Sequence, residues 1–239
     1  MTAMITEMAR DWKSLTLNRL ESSEDLFADS KPKGFASVFE ALSKAANNKI
    51  LKKYSDEKIE KIIGRILENV DKKNQELMYG KAEEIIGISQ KQLAHEENLK
   101  GKTASFIFET KEWIKKLRDD TLQEFSTNAL RAMSLGQDID FITKQFDGFV
   151  GKRKDHAKFV ARTQVATFNS LMTKVRAQNL GVTKAVWITG GDERVRKAHK
   201  DRNGKEFELS KGLYSPIDKK WLLPGTDYQC RCTYELILG

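Results

Sequence analysis

The sequence predicts an α+β protein, with a mainly helical N-terminal region followed by a small, loop-rich C-terminal domain of helix plus β-strands. Three observations predict it. The first 150 residues hold a single proline, Pro32, and their apolar residues recur at three- and four-residue spacings. Short apolar runs bounded by turn signals appear only after residue 180. The basic excess is confined to the last 89 residues, where 18 Lys and Arg face 9 Asp and Glu, a net of +9, while residues 1–150 carry a net of −1.

Hydrophobic residues make up 39% of the 239, enough for a core, so wholesale disorder is not expected. No apolar run approaches the ~20 residues needed to span a bilayer. The opening MTAMITEMARDWKS lacks a charged-then-apolar signal pattern, so a protein made in the cytosol is expected.

Residues 1–34 are polar and mixed, with a break at Lys31-Pro32-Lys33-Gly34, and read as a flexible arm that orders on binding. Residues 35–150 read as a helical domain. Ile59, Ile62, Ile63, Ile66, Leu67 and Val70 form an apolar stripe over 56–79, with Ser55 as an N-cap. Residues 103–134 form a long helix striped by Phe106, Trp113, Leu117, Leu122, Phe125, Leu130 and Met133, closed by Gly136. A shorter helix carries Ile139, Phe141, Ile142, Phe146 and Phe149. The basic stretch GKRKDH at 151–156 marks the boundary to a C-terminal domain of 151–239.

That domain opens with a helix over 156–180, stopped by Asn179 and Gly181. KAVWIT (184–189) is a strand, Gly190-Gly191-Asp192 a turn, ERVRKAHK (193–200) one or two helical turns, Asn203-Gly204 a turn, and KEFEL a short strand. Pro216, Pro224 and Gly225 mark loops. CRCTYELILG reads as a last strand with Cys230, Cys232, Tyr234, Leu236 and Leu238 on one face.

No catalytic set is visible. The chain has no Gly-rich phosphate loop, no G-x-S-x-G and no H-E-x-x-H. His95 and His156 lie in charged helical stretches and read as solvated. A nucleophilic pair of His199 with Cys230 or Cys232 lacks any further residue to build a substrate pocket. The two cysteines support no disulfide framework and read as reduced thiols, since alternate Cα atoms on a strand lie roughly 6.6 Å apart.

His199, Cys230 and Cys232 are also good zinc ligands in one small domain, with Asp192, Asp201 and Asp227 as candidates for a fourth. Two thiolates on one zinc sit under about 4 Å apart, so the strand would have to begin bent. The other reading is a metal-free polar core in which His199 hydrogen-bonds Asp192 or the backbone beside buried thiols. No cofactor is required by the sequence, and zinc is the one candidate. The +9 charge suits an acidic partner, with Lys152, Arg153, Lys154, Lys197 and Lys200 as candidate contacts to DNA.

Several motifs then fall in a recognisable order. A-R-T-Q at 161–164, with Arg162 and Thr163, is followed by Asn169. Trp187 precedes Asp192, Arg194, Arg196 and His199, and the Asn203-Gly204 turn comes next. Pro224-Gly225 leads to Cys230-Arg231-Cys232. Over roughly residues 125–238 this pattern resembles the phage Mu F-like minor head proteins, the phage head-morphogenesis family. Gln164 stands where the family usually has Glu, and Asp227 where many members have His. The resemblance implies a virion protein, made in the host cytoplasm, that acts in head assembly near the portal vertex. It also implies the portal protein and/or the major capsid protein as partners, with double-stranded DNA contacted without sequence preference, and no membrane or enzymatic role. A DNA-binding factor without a structural role, and a nuclease or toxin-associated module, are the rival expectations.

Overall fold

Helical periodicity carries through residue 179. A computed structural model of the chain describes residues 1–22, 32–87 and 97–237. Its helices are α1 (Thr2–Leu15), α2 (Leu17–Glu21), α3 (Pro32–Lys53), α4 (Asp56–Ile86), α5 (Glu97–Ser134), α6 (Ile139–Asn179) and the short α7 (Lys197–Lys200). The strands are β1 (Lys184–Ile188), β2 (Glu206–Glu208), β3 (Leu213–Ser215), β4 (Lys220–Leu222) and β5 (Thr233–Ile237). The α+β class expected from the sequence is the class observed. His95 lies outside the described residues. Among the described residues, no helix is long and apolar enough to cross a membrane.

The chain divides into two units, one of Met1–Lys61 with Lys111–Lys158, the other of Ile62–Thr110 with Phe159–Gly239. This is not the expected order of an arm, a 35–150 domain and a 151–239 domain. Helices α4, α5 and α6 each contribute to both units, and a division inside a helix leaves no mark in composition. GKRKDH is interior to α6, so the two helices expected on either side of it are one. The stretch holds no proline, Lys and Arg are good helix formers, and Val150 and Ala157 keep one face buried across it.

In the first unit, Ile5, Met8, Ala9 and Trp12 of α1 are buried at the i, i+3, i+4, i+7 spacing of a helix face. Trp12 is 0% exposed. Its ring stacks on Phe146 at 5.2 Å, meets Phe39 edge-on at 6.0 Å and tilts against Phe125 at 5.6 Å. Its indole N–H donates to Asn47 Oδ1 at 3.0 Å. Leu17 and Leu20 of α2 are buried as well. Residues 2–21 are therefore part of a core and not an arm. Residues 23–31 of the expected arm lie outside the described residues. The segment looks polar in sequence because only one face of α1 is apolar.

In the second unit, α6 ends as expected. Gly181 takes φ 78°, and the Val182 N–H donates to Ala177 O at 2.9 Å, a left-handed C-terminal cap. The chain then enters an antiparallel sheet in the order β2-β1-β5. Register pairs Ala185 with Phe207 and Trp187 with Tyr234. The sheet packs on a core of Ala177, Val182, Ala185, Trp187, Phe207, Leu209, Leu222, Leu223, Cys230 and Cys232. Strands β3 and β4 make a separate hairpin, which the sequence pattern did not reveal.

Trp12→Ala should cost about 3–5 kcal/mol, the usual loss for a large aromatic removed from a packed core. Urea unfolding of the full chain would show it as a lowered midpoint. A detached arm would give no change.

Candidate functional site

Trp187, next to last in β1, is 0% exposed and anchors the site. Its ring meets the His199 imidazole edge-on at 5.8 Å, and the buried Arg202 guanidinium lies 5.1 Å from its centroid. The Asn203-Gly204 turn folds the intervening loop back. The Thr189 N–H donates to Asn203 Oδ1 at 2.9 Å and the Gly204 N–H to Trp187 O at 2.8 Å. Arg196, with ψ 143°, starts the single turn of α7, which turns His199 inward and leaves Lys197 and Lys200 exposed.

The closing segment is pinned to α6. Ser170 Oγ donates to Pro224 O at 2.6 Å, the Gln229 N–H to Thr163 Oγ1 at 3.2 Å, and Tyr234 Oη to Ser170 O at 2.6 Å. Gly225 has φ 86°, and a Cβ there would lie 3.4 Å from Ala166 O, a close fit in a conformation that favours glycine. Gln229 also sits at positive φ, 47°. This bent backbone carries Cys230 and Cys232 before β5 begins at Thr233, so the two cysteines are not on the last strand as the alternation suggested. The bend brings both sulfurs to one point. His199 Nδ1 lies 3.4 Å from Cys230 Sγ and 3.4 Å from Cys232 Sγ.

The other ring nitrogen, Nε2, lies 3.2 Å from Asp227 Oδ2. The same oxygen accepts from Arg196 at 2.7 Å. Arg196 therefore does not pair with Asp192 as a four-residue helical offset would have it, because 193–196 are not helical. Asp192 is instead clasped by Arg231, Nη1 to Oδ2 at 2.5 Å and Nη2 to Oδ1 at 2.6 Å. That pair ties the loop after β1 to the residue between the two cysteines.

Of the candidate ligands, His199, Cys230 and Cys232 converge, with donor atoms within 4.8 Å of one another. Asp227 stands behind the histidine, and Asp192 and Asp201 are not in the cluster. The cysteines are free thiols. The neighbouring Cys232 thiol, then the amides of Cys232 and Gly225, draw Cys230 below the ordinary thiol value against the cost of burial. Cys232 is pushed up by its interaction with Cys230 and by burial.

The other motif residues are spread around this cluster. Asn169 accepts from Asn74 at 2.9 Å, Gln164 accepts from Thr110 at 3.2 Å, Arg162 is exposed, and Arg194 lies 3.5 Å from Asp192. Among the DNA candidates, Lys152, Lys197 and Lys200 are exposed and Lys154 is half-buried. Arg153 is largely covered, packed over Phe149 and paired with Glu124, so it is not a free contact. Sequence patterns gave no sign of Arg176, 0% exposed, which donates to Asp71 at 2.8 Å and to Asn74 at 2.6 Å. Its partners lie about a hundred positions away, out of reach of any spacing rule.

A short sheet fed by one long helix, closed through a buried His-Cys-Cys cluster, defines a domain held together by its own motif. Residues 123–235 match the family model described as phage Mu protein F like protein, the family that the motifs resemble and in the same part of the chain. An uncharacterized protein of Haemophilus influenzae (strain Rd KW20) is 29% identical over 211 residues, which cover 85% of this chain and 45% of that protein. The chain thus spans about half the length of the curated relative it matches. No solved structure matches it.

The Asp192–Arg231 pair has a definite acid signature. Arg231 holds the Asp192 carboxyl down at about 2, from an ordinary 3.8. A carboxyl depressed by folding stabilises the fold above its unfolded pKa, and that contribution fades as pH falls through the folded value. Asp192→Asn should therefore flatten the loss of stability between about pH 4 and pH 2, measured by acid titration of circular dichroism. An unchanged acid limb would show that the pair does not contribute.

Proposed function

We propose that this chain is a minor head protein of a tailed phage, acting in head morphogenesis near the portal vertex. The match over residues 123–235 carries the reading, because it spans every motif that closes the C-terminal module. The chemistry supports a structural role over an enzymatic one. His199, Cys230 and Cys232 are buried and face one another, which suits a clasp better than a site that must admit substrate.

The partners are the portal protein and/or the major capsid protein. Trp113 on α5 and Tyr214, Ile217 and Trp221 on the β3–β4 hairpin are large apolar side chains left exposed, the kind of surface that protein contacts use. Mass spectrometry of purified heads should find the protein in the particle, and it should co-purify with portal or capsid protein on co-expression. Absence from the particle would overturn the reading.

Contact with packaged double-stranded DNA is the second part of the proposal, and a DNA-binding factor with no structural role is its rival. The basic excess is partly consumed inside the fold, by Arg153, Arg176, Arg196 and Arg231 in ion pairs. Lys197 and Lys200 remain exposed on α7. Phosphate contacts release counterions, so affinity should fall steeply with salt and ignore sequence. Lys197→Glu with Lys200→Glu should lower the slope of log affinity against log salt by about 0.9 for each phosphate no longer neutralised. A gel-shift series across salt concentrations measures this, and a slope unchanged by both substitutions would remove α7 from the DNA surface.

A further inference from the structure

We infer that His199, Cys230 and Cys232 bind one zinc ion, which ties the segment before the last strand to the loop after β1. This goes beyond the proposed role in the head and does not depend on it.

The geometry is that of a coordination shell. Zinc–sulfur bonds of about 2.3 Å and zinc–nitrogen bonds of about 2.0–2.1 Å on a tetrahedron place nitrogen and sulfur about 3.6 Å apart and two sulfurs about 3.8 Å apart. Both nitrogen-to-sulfur distances here are 3.4 Å, and all three donor atoms lie within 4.8 Å of one another. The two nitrogen-to-sulfur distances are within a few tenths of an ångström of that shell, and the sulfurs, within 4.8 Å of each other, would draw together by up to about 1 Å around an ion.

The surroundings orient the donors. Asp227 Oδ2 stands 3.2 Å from His199 Nε2 and favours the tautomer in which Nε2–H donates to the carboxylate, which leaves the Nδ1 lone pair facing the sulfurs. A carboxylate behind a ligating imidazole is the usual support for a zinc-bound histidine. Asp227 is itself fixed by Arg196 and is engaged on the far side of the ring, so it supports the site and does not ligate. The Gly225 N–H donates to Cys230 Sγ at 3.4 Å. The Trp187 Nε1–H is buried with no hydrogen-bond partner, and it lies on the Cys232 side, where a thiolate would accept it. Among the described residues no fourth His, Cys, Asp or Glu joins the cluster, so water completes the tetrahedron. With all three ligands buried, the ion's work is to hold the fold.

The full-length protein, expressed with zinc in the medium, should carry about one zinc per chain by elemental analysis. Chelation under reducing conditions should lower its melting temperature by on the order of 10 °C or more, and added zinc should restore it. Cobalt(II) in place of zinc should give the visible bands of a tetrahedral ion and a thiolate-to-cobalt charge-transfer band. Cys232→Ser should weaken that band. Asp227→Asn, which keeps all three ligands, should bind cobalt about 10–100-fold more weakly, so the test survives if the cysteine variant fails to fold. The inference is overturned if the folded protein holds no zinc and shows no charge-transfer band with cobalt. A Cys230–Cys232 disulfide in the native protein, or a melting temperature indifferent to chelator, would overturn it equally.

Discussion

The C-terminal module turns on the carboxylate of Asp227. It is buried, and one of its oxygens meets both the Arg196 guanidinium and the His199 ring. A buried carboxylate without such partners would be strongly destabilising, so its position dictates where α7 and the segment before Cys230 can lie. Once His199 is turned by Asp227, its opposite nitrogen faces the two sulfurs and its ring edge meets Trp187. Asp227 meets the far side of the imidazole and so supports the histidine instead of joining the two sulfurs as a ligand. The same clasp gives many motif residues a structural task. Trp187 fills the core, Thr163 and Ser170 hold the returning chain on α6, and Arg231 pins the loop after β1 from between the cysteines.

Charge in this chain serves two ends. Arg153, Arg176, Arg196 and Arg231 are spent on carboxylates within their own units, and Arg176 is sealed from solvent with Asp71 and Asn74 as partners. Guanidinium groups suit this work because their planar forks match carboxylates and stay charged when covered. The exposed cations of the module are mostly lysines, including Lys197 and Lys200, whose solvated ammonium groups suit loose contact with phosphate. A count of basic residues therefore overstates the charge available to a nucleic acid. The first unit is held differently, by an aromatic cluster around Trp12, with Asn47 meeting its one polar atom and a Ser43–Ser126 bond nearby.

The sequence by itself determined the long helix α5, the helix stops at Gly136 and Gly181, the central strand and the closing motif. Each rests on interactions between near neighbours. The 3.6-residue stripe of α5, the left-handed Gly136 and Gly181 that end two helices, and the short apolar run at Ala185 to Trp187 all state themselves within a few positions. The motif order placed His199, Cys230 and Cys232 in one module, because a domain this small leaves few places for three such residues. Tertiary structure alone decided the rest. Polar stretches such as 2–21 become core when one face of α1 meets Phe39, Phe125 and Phe146 from distant helices. Arg196 chose Asp227 over the nearer Asp192 because the loop between them is not a helix, and Asp192 was left for Arg231. The bend at Gly225 and Gln229 set both sulfurs on one nitrogen, where a regular strand would have held them apart. Local rules see neighbours along the chain, whereas partners 30 to 100 residues away are fixed only when burial forces each charge and each donor to find one.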